Sequence, residues 1–284
     1  MTAILSIQSS VAFGHVGNSA AVFPLMRLGL EVWPVITVHF SNHTGYGAWR
    51  GPVLEAEDVA AVIKGIEERD VFPTCAGVLS GYMGDASLGG VILRAQRRVK
   101  ALNPNALYCC DPVMGDVGRG FFVRPGIPEM MKHHAVPAAD MITPNQFELE
   151  YLTGRAVTDL DSALAAARAA LDLGPKVVVV TSLTRHDANP DTIEMLAVSR
   201  DEAQIVATPR LDVSVNGAGD MTAALMFAHW VMGKGLATAL SLTASSVYAV
   251  LQATHTSGQR EIQIVAAQDA IVAPATVFAA RQIG

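Results

Sequence analysis

The feature that most constrains this fold is an alternation of short apolar runs with stretches of helical spacing. The runs "AILSIQS" (3–9), "EVWPVITVHF" (31–40), "CAGVLSGY" (75–82), "ALYCCDPVM" (106–114), "ADMITP" (139–144) and "KVVVVTSL" (176–183) read as strands. Between them, 16–29, 55–70, 87–101, 145–153 and 161–173 carry apolar residues at helical spacing. Strand, helix, strand at this spacing predicts right-handed crossovers and an α/β fold, a mostly parallel sheet with helices on both faces. Residues 193–207 read instead as antiparallel strands around a polar turn, and two helices follow the glycine loop at 216–219. No repeat, low-complexity tract or linker divides the chain, so residues 1–284 are expected to form a single domain. Ligands in such sheets bind beyond the carboxyl ends of the strands. Polar residues gather there: Ser9 and Ser10, the loop 41–49, 80–82, 111–116, 143–148, and Thr181 with Ser182.

Composition narrows the function. A hydrophobic share of 51% and a charged share of 16% suit a well-buried core rather than disorder. Net charge is −6 with no basic stripe, which removes the electrostatic basis for nucleic-acid binding. A phosphate donor bound by so acidic a chain needs local positive potential from backbone N–H groups, a metal ion or a few basic side chains. Cys75, Cys109 and Cys110 are odd in number and form no CxxC pair, which argues against a disulfide framework or structural zinc and suits a reducing cytoplasm. "MTAILSIQSS" has neither a basic segment nor a long apolar core, so no signal peptide is expected. The stretches 221–233 and 237–251 read as too short or too rich in Ser and Thr to span a bilayer. The expectation is a cytoplasmic protein without a membrane or nucleic-acid partner.

Four segments carry candidate chemistry. In "VSVNGAGDMTAALMFAHW" (213–230) a glycine loop runs into Asp220 and then into an apolar helix. Asp220 reads either as a helix cap or as a general base beside an anion hole made by the N–H groups around Gly217, Ala218 and Gly219. "HFSNHTGYG" (39–47) is an ordinary turn or a polar loop gripping a small heterocycle, with Phe40 and Tyr46 as flat walls. "CDPVMGD" (110–116) sets Asp111 and Asp116 across a Pro and a Gly, a turn former or a pair suited to Mg²⁺. "TPNQFELEYLTG" (143–154) combines a helix start at Thr143 or Asn145 with Glu148, able to orient metal-bound waters. The glycine-rich "GDVGRGFFVRPG" (115–126) reads as a mobile lid, with Arg119 within reach of a phosphate or simply solvated. GxxxxGK[ST], HExxH and GxSxG are absent, and "GHVGNSA" (14–20) lacks full GxGxxG spacing.

In order along the chain, "SIQSSVAFGHVGNSAA", "VHFSNHTGYG", "LSGYMGD", "CDPVMGD", "ADMITPNQFELEYLTG", "VVVTS" and "NGAGDMTAALM" resemble the pyridoxal kinases of the ribokinase-like superfamily. The resemblance implies a three-layer ribokinase-like sandwich with a small lid loop. It implies transfer of the γ-phosphoryl of ATP to the 5′-hydroxymethyl of pyridoxal. By the same resemblance Asp220 is the base and Gly217, Ala218, Gly219 and Asp220 frame the anion hole. Ser9, in preference to Ser10, would hold the pyridine ring with Thr44, Gly45 and Tyr82, and Val16 and Phe40 would pack on it. Asp111, Asp116 and Glu148 would serve Mg²⁺ and ATP. Asn145, Thr181 and Ser182 would hold the phosphate tail, and Thr208, Pro209, Arg210 and Leu211 would line the nucleotide wall. A homodimer and a monovalent ion such as K⁺ come with the family. Three positions depart from its pattern: Ala218 replaces the Thr of GTGD, Thr181 stands where some bacterial members have Lys, and Phe121–Phe122 occupy the lid. Two alternatives stand beside this reading, a hydroxymethylpyrimidine kinase-like enzyme and a catalytically silent pyridoxal 5′-phosphate-binding protein.

Overall fold

Strand β1 (Ala3–Val11) is buried along almost its whole length, because it lies inside a sheet covered on both faces. Its side chains alternate between two cores. Leu5 and Ile7 join Val78, Tyr108, Ile142 and Val180 on one face, and Ile4 joins Leu79, Cys109, Met141 and Val179 on the other. This double burial is why the strands read as unbroken apolar runs. The computed structural model describes residues 2–283.

The chain continues through α1 (Asn18–Arg27), β2 (Glu31–Phe40), α2 (Ala56–Glu67), β3 (Cys75–Ser80), α3 (Ser87–Leu102) and β4 (Leu107–Cys110). A small hairpin, β5 (Gly115–Asp116) and β6 (Gly120–Phe121), stands apart from the main sheet. Helices α4 (Ile127–Met130) and α5 (Val136–Ala138) are joined by a π-helical turn, Met131–Ala135. Then come β7 (Met141–Ile142), α6 (Gln146–Thr153), α7 (Leu160–Leu171), β8 (Val177–Leu183), β9 (Thr192–Val198) and β10 (Ala203–Pro209). Helices α8 (Ala218–Val231), α9 (Leu236–Ser257) and α10 (Gln268–Val272) and strand β11 (Arg281–Gln282) complete the fold.

The sheet has nine strands in the order β11-β10-β9-β8-β7-β4-β3-β1-β2. Pairings from β2 across to β8 are parallel, and those of β9, β10 and β11 are antiparallel. Helices α2, α3, α6 and α7 cover one face, and α1, α8 and α9 the other, which gives the expected three layers. The strand order reverses between β1 and β3, the switch point beyond whose strand ends ligands bind in such sheets.

Local outcomes differ from expectation for stated reasons. The run 106–114 holds only a short strand, because Pro112 offers no N–H and the chain leaves the sheet at Asp111. The lid at 115–126 contains an antiparallel hairpin rather than plain loop. Helix α9 is long and apolar enough, by length and composition, to cross a membrane, contrary to the sequence expectation. Its most apolar window is 56% buried inside the fold, as in a core helix. Its hydroxyls are satisfied locally: Ser245 donates to the Ser241 carbonyl at 2.6 Å and Thr254 to that of Val250 at 2.7 Å.

Candidate active site

Helix α8 begins where glycine permits it. Gly217 is the N-cap with φ of 90°, and a Cβ there would run into the His15 carbonyl. Helical bonding starts with the Met221 N–H on the Gly217 carbonyl at 3.0 Å. The N–H groups of Ala218, Gly219 and Asp220 therefore have no intrahelical carbonyl to bond, and the helix dipole adds positive character there. Asp220 lies in the first turn, and the cap residue is Gly217 with no side-chain cap bond. The capping alternative for Asp220 is thus not what the helix uses. Burial pushes the Asp220 carboxyl up from the ordinary range, while the backbone N–H groups of Gly17 and of Asp220 itself pull it back.

Facing this helix start are the residues expected to hold a flat ring. Val16 and Phe40 pack with Val11 and Val38, and Tyr82 joins them from the end of β3. Burial raises the Tyr82 phenol, with Arg124 opposing. Ser9 is buried at the end of β1, whereas the Ser10 hydroxyl is engaged by that of Ser19 at 3.1 Å. Thr44 and Gly45 lie on a one-turn 3₁₀ helix capped by His43, whose Nδ1 accepts from the Gly45 N–H at 3.0 Å. A Cβ on Gly45 would lie 3.7 Å from the Asn216 amide nitrogen, which brings this turn beside the glycine loop. Burial, and then the positive Arg119 of the hairpin, lower the His43 pKa. The hairpin thus lies within electrostatic reach of the turn.

Tyr46 differs from the expected flat wall. Its ring meets the edge of Phe13 at 6.1 Å between centroids and lies 3.8 Å beneath the Arg260 guanidinium. Its hydroxyl donates to Glu261 at 2.6 Å. Arg260 and Glu261 were not legible in the sequence, since they lie 215 positions from the turn they touch and carry no local motif.

Acids gather on the other side of Asp220. Asp111 is buried and accepts from the Thr143 hydroxyl at 2.8 Å. Burial, and then the charge of Asp220, push its carboxyl up to about 8. Glu148 is also raised, by burial first and Asp111 second. No basic side chain counters Asp111, so a divalent cation with its waters and phosphate oxygens fits the chemistry of this donor set. The expected trio of Asp111, Asp116 and Glu148 is not assembled as a cage, and no group of three such ligands converges among the described residues. Asp116 is exposed on the hairpin and accepts from the Val117 N–H at 2.8 Å. Glu148 turns its oxygens on the backbone N–H groups of Met114 and Asn145, at 2.8 and 2.9 Å. Asn145 completes a capping box with Glu148 and donates to the Gly115 carbonyl at 2.8 Å, so its amide anchors the hairpin.

Beyond lie the residues expected to hold a nucleotide. Thr181 is buried at the end of β8, and its N–H donates to the Pro144 carbonyl at 2.9 Å. Ser182 adopts φ of 53°, a left-handed conformation shared among described non-glycine residues only with Asp70. Thr208 and Pro209 end β10, and Leu211 follows them half-buried. Arg210 is spent on the Pro190 and Thr192 carbonyls, at 3.2 and 3.3 Å.

Comparison with known proteins converges on one group. A family model described as phosphomethylpyrimidine kinase matches residues 81–265. The chain is 66% identical to the pyridoxal kinase PdxY of Rubrobacter xylanophilus, over 99% of this chain and 97% of that one. It is 55% identical to the PdxY of Leifsonia xyli, over 99% of both. In structure it is similar to the Leishmania donovani pyridoxal kinase in complex with ADP and pyridoxamine, with TM-score 0.93 and 28% identity over the full length of each.

Proposed function

This chain belongs to the pyridoxal kinase family, and from that premise we propose how its residues carry out the reaction. It is an ATP-dependent kinase that phosphorylates pyridoxal. The single observation that carries the assignment of roles is the juxtaposition of Asp220, in the unpaired first turn of α8, with buried Asp111.

Val16, Phe40 and Tyr82 hold the faces of the pyridine ring, and Ser9 with the Thr44–Gly45 turn offers its edge polar groups. The 5′-hydroxymethyl then points at the start of α8. Asp220 accepts the hydroxyl proton as the oxygen attacks the γ-phosphorus. The bond from that phosphorus to the β–γ bridging oxygen breaks, and ADP leaves. Burial that raises the Asp220 carboxyl makes it a better proton acceptor than an ordinary exposed one. The N–H groups of Ala218, Gly219 and Asp220 receive the negative charge of the migrating phosphoryl. Ala218 supplies only its backbone here, so losing the family's Thr leaves that donor in place.

Asp111 would hold Mg²⁺, backed by Glu148, with Asp116 swinging in on its hairpin. The ion when bound neutralises charge on the triphosphate. Thr181 and Ser182 meet the phosphate tail, and the left-handed Ser182 fits a backbone shaped for a ligand. Asn145 acts by pinning the hairpin. Thr208, Pro209 and Leu211 line the nucleotide wall, and Arg210 closes it by tying β10 to β9. The free, buried thiols of Cys75, Cys109 and Cys110 support a reducing, cytoplasmic setting.

The test is to supply ATP and Mg²⁺ with pyridoxal in one reaction and hydroxymethylpyrimidine in another. Pyridoxal 5′-phosphate is expected, with weak or no product from the pyrimidine. Turnover of the pyrimidine alone would move the chain to the other activity in its wider family, and binding without turnover of either would make it a silent carrier.

A further inference from the structure

The segment following α9 reaches back across the molecule to the substrate side of the site. Glu261 divides its carboxylate between two loops. Oε2 accepts from the His15 N–H at 2.9 Å, and Oε1 accepts from the Tyr46 hydroxyl at 2.6 Å. Arg260 donates to the Gly45 carbonyl at 2.6 Å and covers the Tyr46 ring. Gly14 has φ of 93°, and a Cβ there would collide with the Glu261 carboxylate, so that loop is shaped to admit it. The same His15 whose N–H Glu261 holds presses its carbonyl against Gly217 of the anion-hole loop. Ile262, fully buried, packs with Met221 and Leu225 of α8 and sets the base of the segment.

We propose that Glu261 is a positioning residue for pyridoxal, bridging the Thr44–Tyr46 turn to the loop that carries Val16 and abuts Gly217. The proposal rests on the reading of the chain as a pyridoxal kinase. Each of its carboxylate oxygens serves a different wall of the ring site, so loss of the side chain frees both walls together. The Tyr46 hydrogen bond is also the largest cause raising that phenol, which keeps it a donor. The hydrogen bonds of Glu261 go to His15 and Tyr46, on the ring side of the proposed site, so its removal is expected to act on pyridoxal before ATP.

The experiment compares wild type with Glu261→Gln, Glu261→Ala, Tyr46→Phe and the double variant Glu261→Ala/Tyr46→Phe. Amide exchange over residues 42–47 is measured without ligands, and KM for pyridoxal and for ATP is measured separately. In Glu261→Ala the exchange and the pyridoxal KM are each expected to rise about tenfold, the usual scale of a lost charge-assisted hydrogen bond. The ATP KM is expected to stay within about twofold, since uniform loss of one substrate's binding moves only its own KM. Tyr46→Phe is expected to add nothing in the Glu261→Ala background. Unchanged exchange with unchanged KM, a parallel rise in both KM values, or full additivity would overturn the proposal. If Glu261→Ala does not fold, Glu261→Gln, which keeps the shape and loses the charge, gives the same readings on a smaller scale. A wild type inactive on pyridoxal would defeat the functional reading, while exchange over 42–47 would still judge the latch.

Discussion

His229 sits in α8 with 3% of its surface exposed, and neither ring nitrogen has a hydrogen-bond partner among the described residues. Burial, and then Lys234, depress its pKa to about 4 from 6.5. A base whose folded pKa is depressed contributes stability that is whole above the unfolded value. That contribution falls away as pH drops from about 6.5 toward about 4. A shift of this size corresponds to on the order of 3 kcal/mol. In denaturant titrations at pH 7 and pH 4.5, wild type is expected to lose more stability on acidification than His229→Leu. Equal losses would remove His229 as the origin. Asp220 is a half-buried group of a different kind. Its raised carboxyl accepts from the backbone N–H groups of Gly17 and of Asp220 itself, whereas neither ring nitrogen of His229 has a partner among the described residues. Burial by itself therefore does not mark function.

The hairpin β5–β6 stands outside the main sheet and is anchored by few contacts. Phe121 packs edge-on against Phe147 and Tyr151 of α6, at 5.1 and 5.0 Å between centroids, while remaining largely exposed. Removing it should cost little global stability, because little area is buried, yet should loosen the cover over the phosphates. Phe121→Ala is expected to shift Tm by less than about 4 °C. It should also raise the ratio of ADP released to pyridoxal 5′-phosphate formed. A ratio held at one would show that the anchor does not govern water access. Much at this scale was legible in the sequence. The apolar runs marked β1, β3 and β8 because double burial leaves no alternation, while β2 kept an apolar run although it is a part-exposed edge strand, and residues 193–207 showed their antiparallel turn. Val16, Phe40 and Tyr82, expected around the ring, pack in one apolar cluster with Val11 and Val38. Tyr46 and Glu148 stood out in the sequence, but their partners did not, because these are set by tertiary contact. Tyr46 meets a segment 215 positions away, and Glu148 turns to the backbone of Met114. The π turn at Met131–Ala135 has no sequence period that distinguishes it from α-helix.

Across the whole molecule, a chain of net charge −6 handles a polyanion without a basic patch. In the proposed mechanism the positive end of α8 and, with a bound cation, Asp111 beyond the end of β4 supply the missing positive potential. On that proposal placement does the work that net charge does not, and Asp220 is the group on which both halves of the site meet. The measurement that tests this most directly is turnover of Asp220→Asn beside wild type, with ATP and pyridoxal binding measured on both. Because Gly217 rather than Asp220 caps α8, the substitution removes a proton acceptor with little loss of helix stability. The variant is expected to bind both substrates nearly as wild type and to turn over about 10²-fold more slowly or worse. Turnover near the wild-type rate would contradict the account and leave Asp220 a first-turn acid with no part in the chemistry.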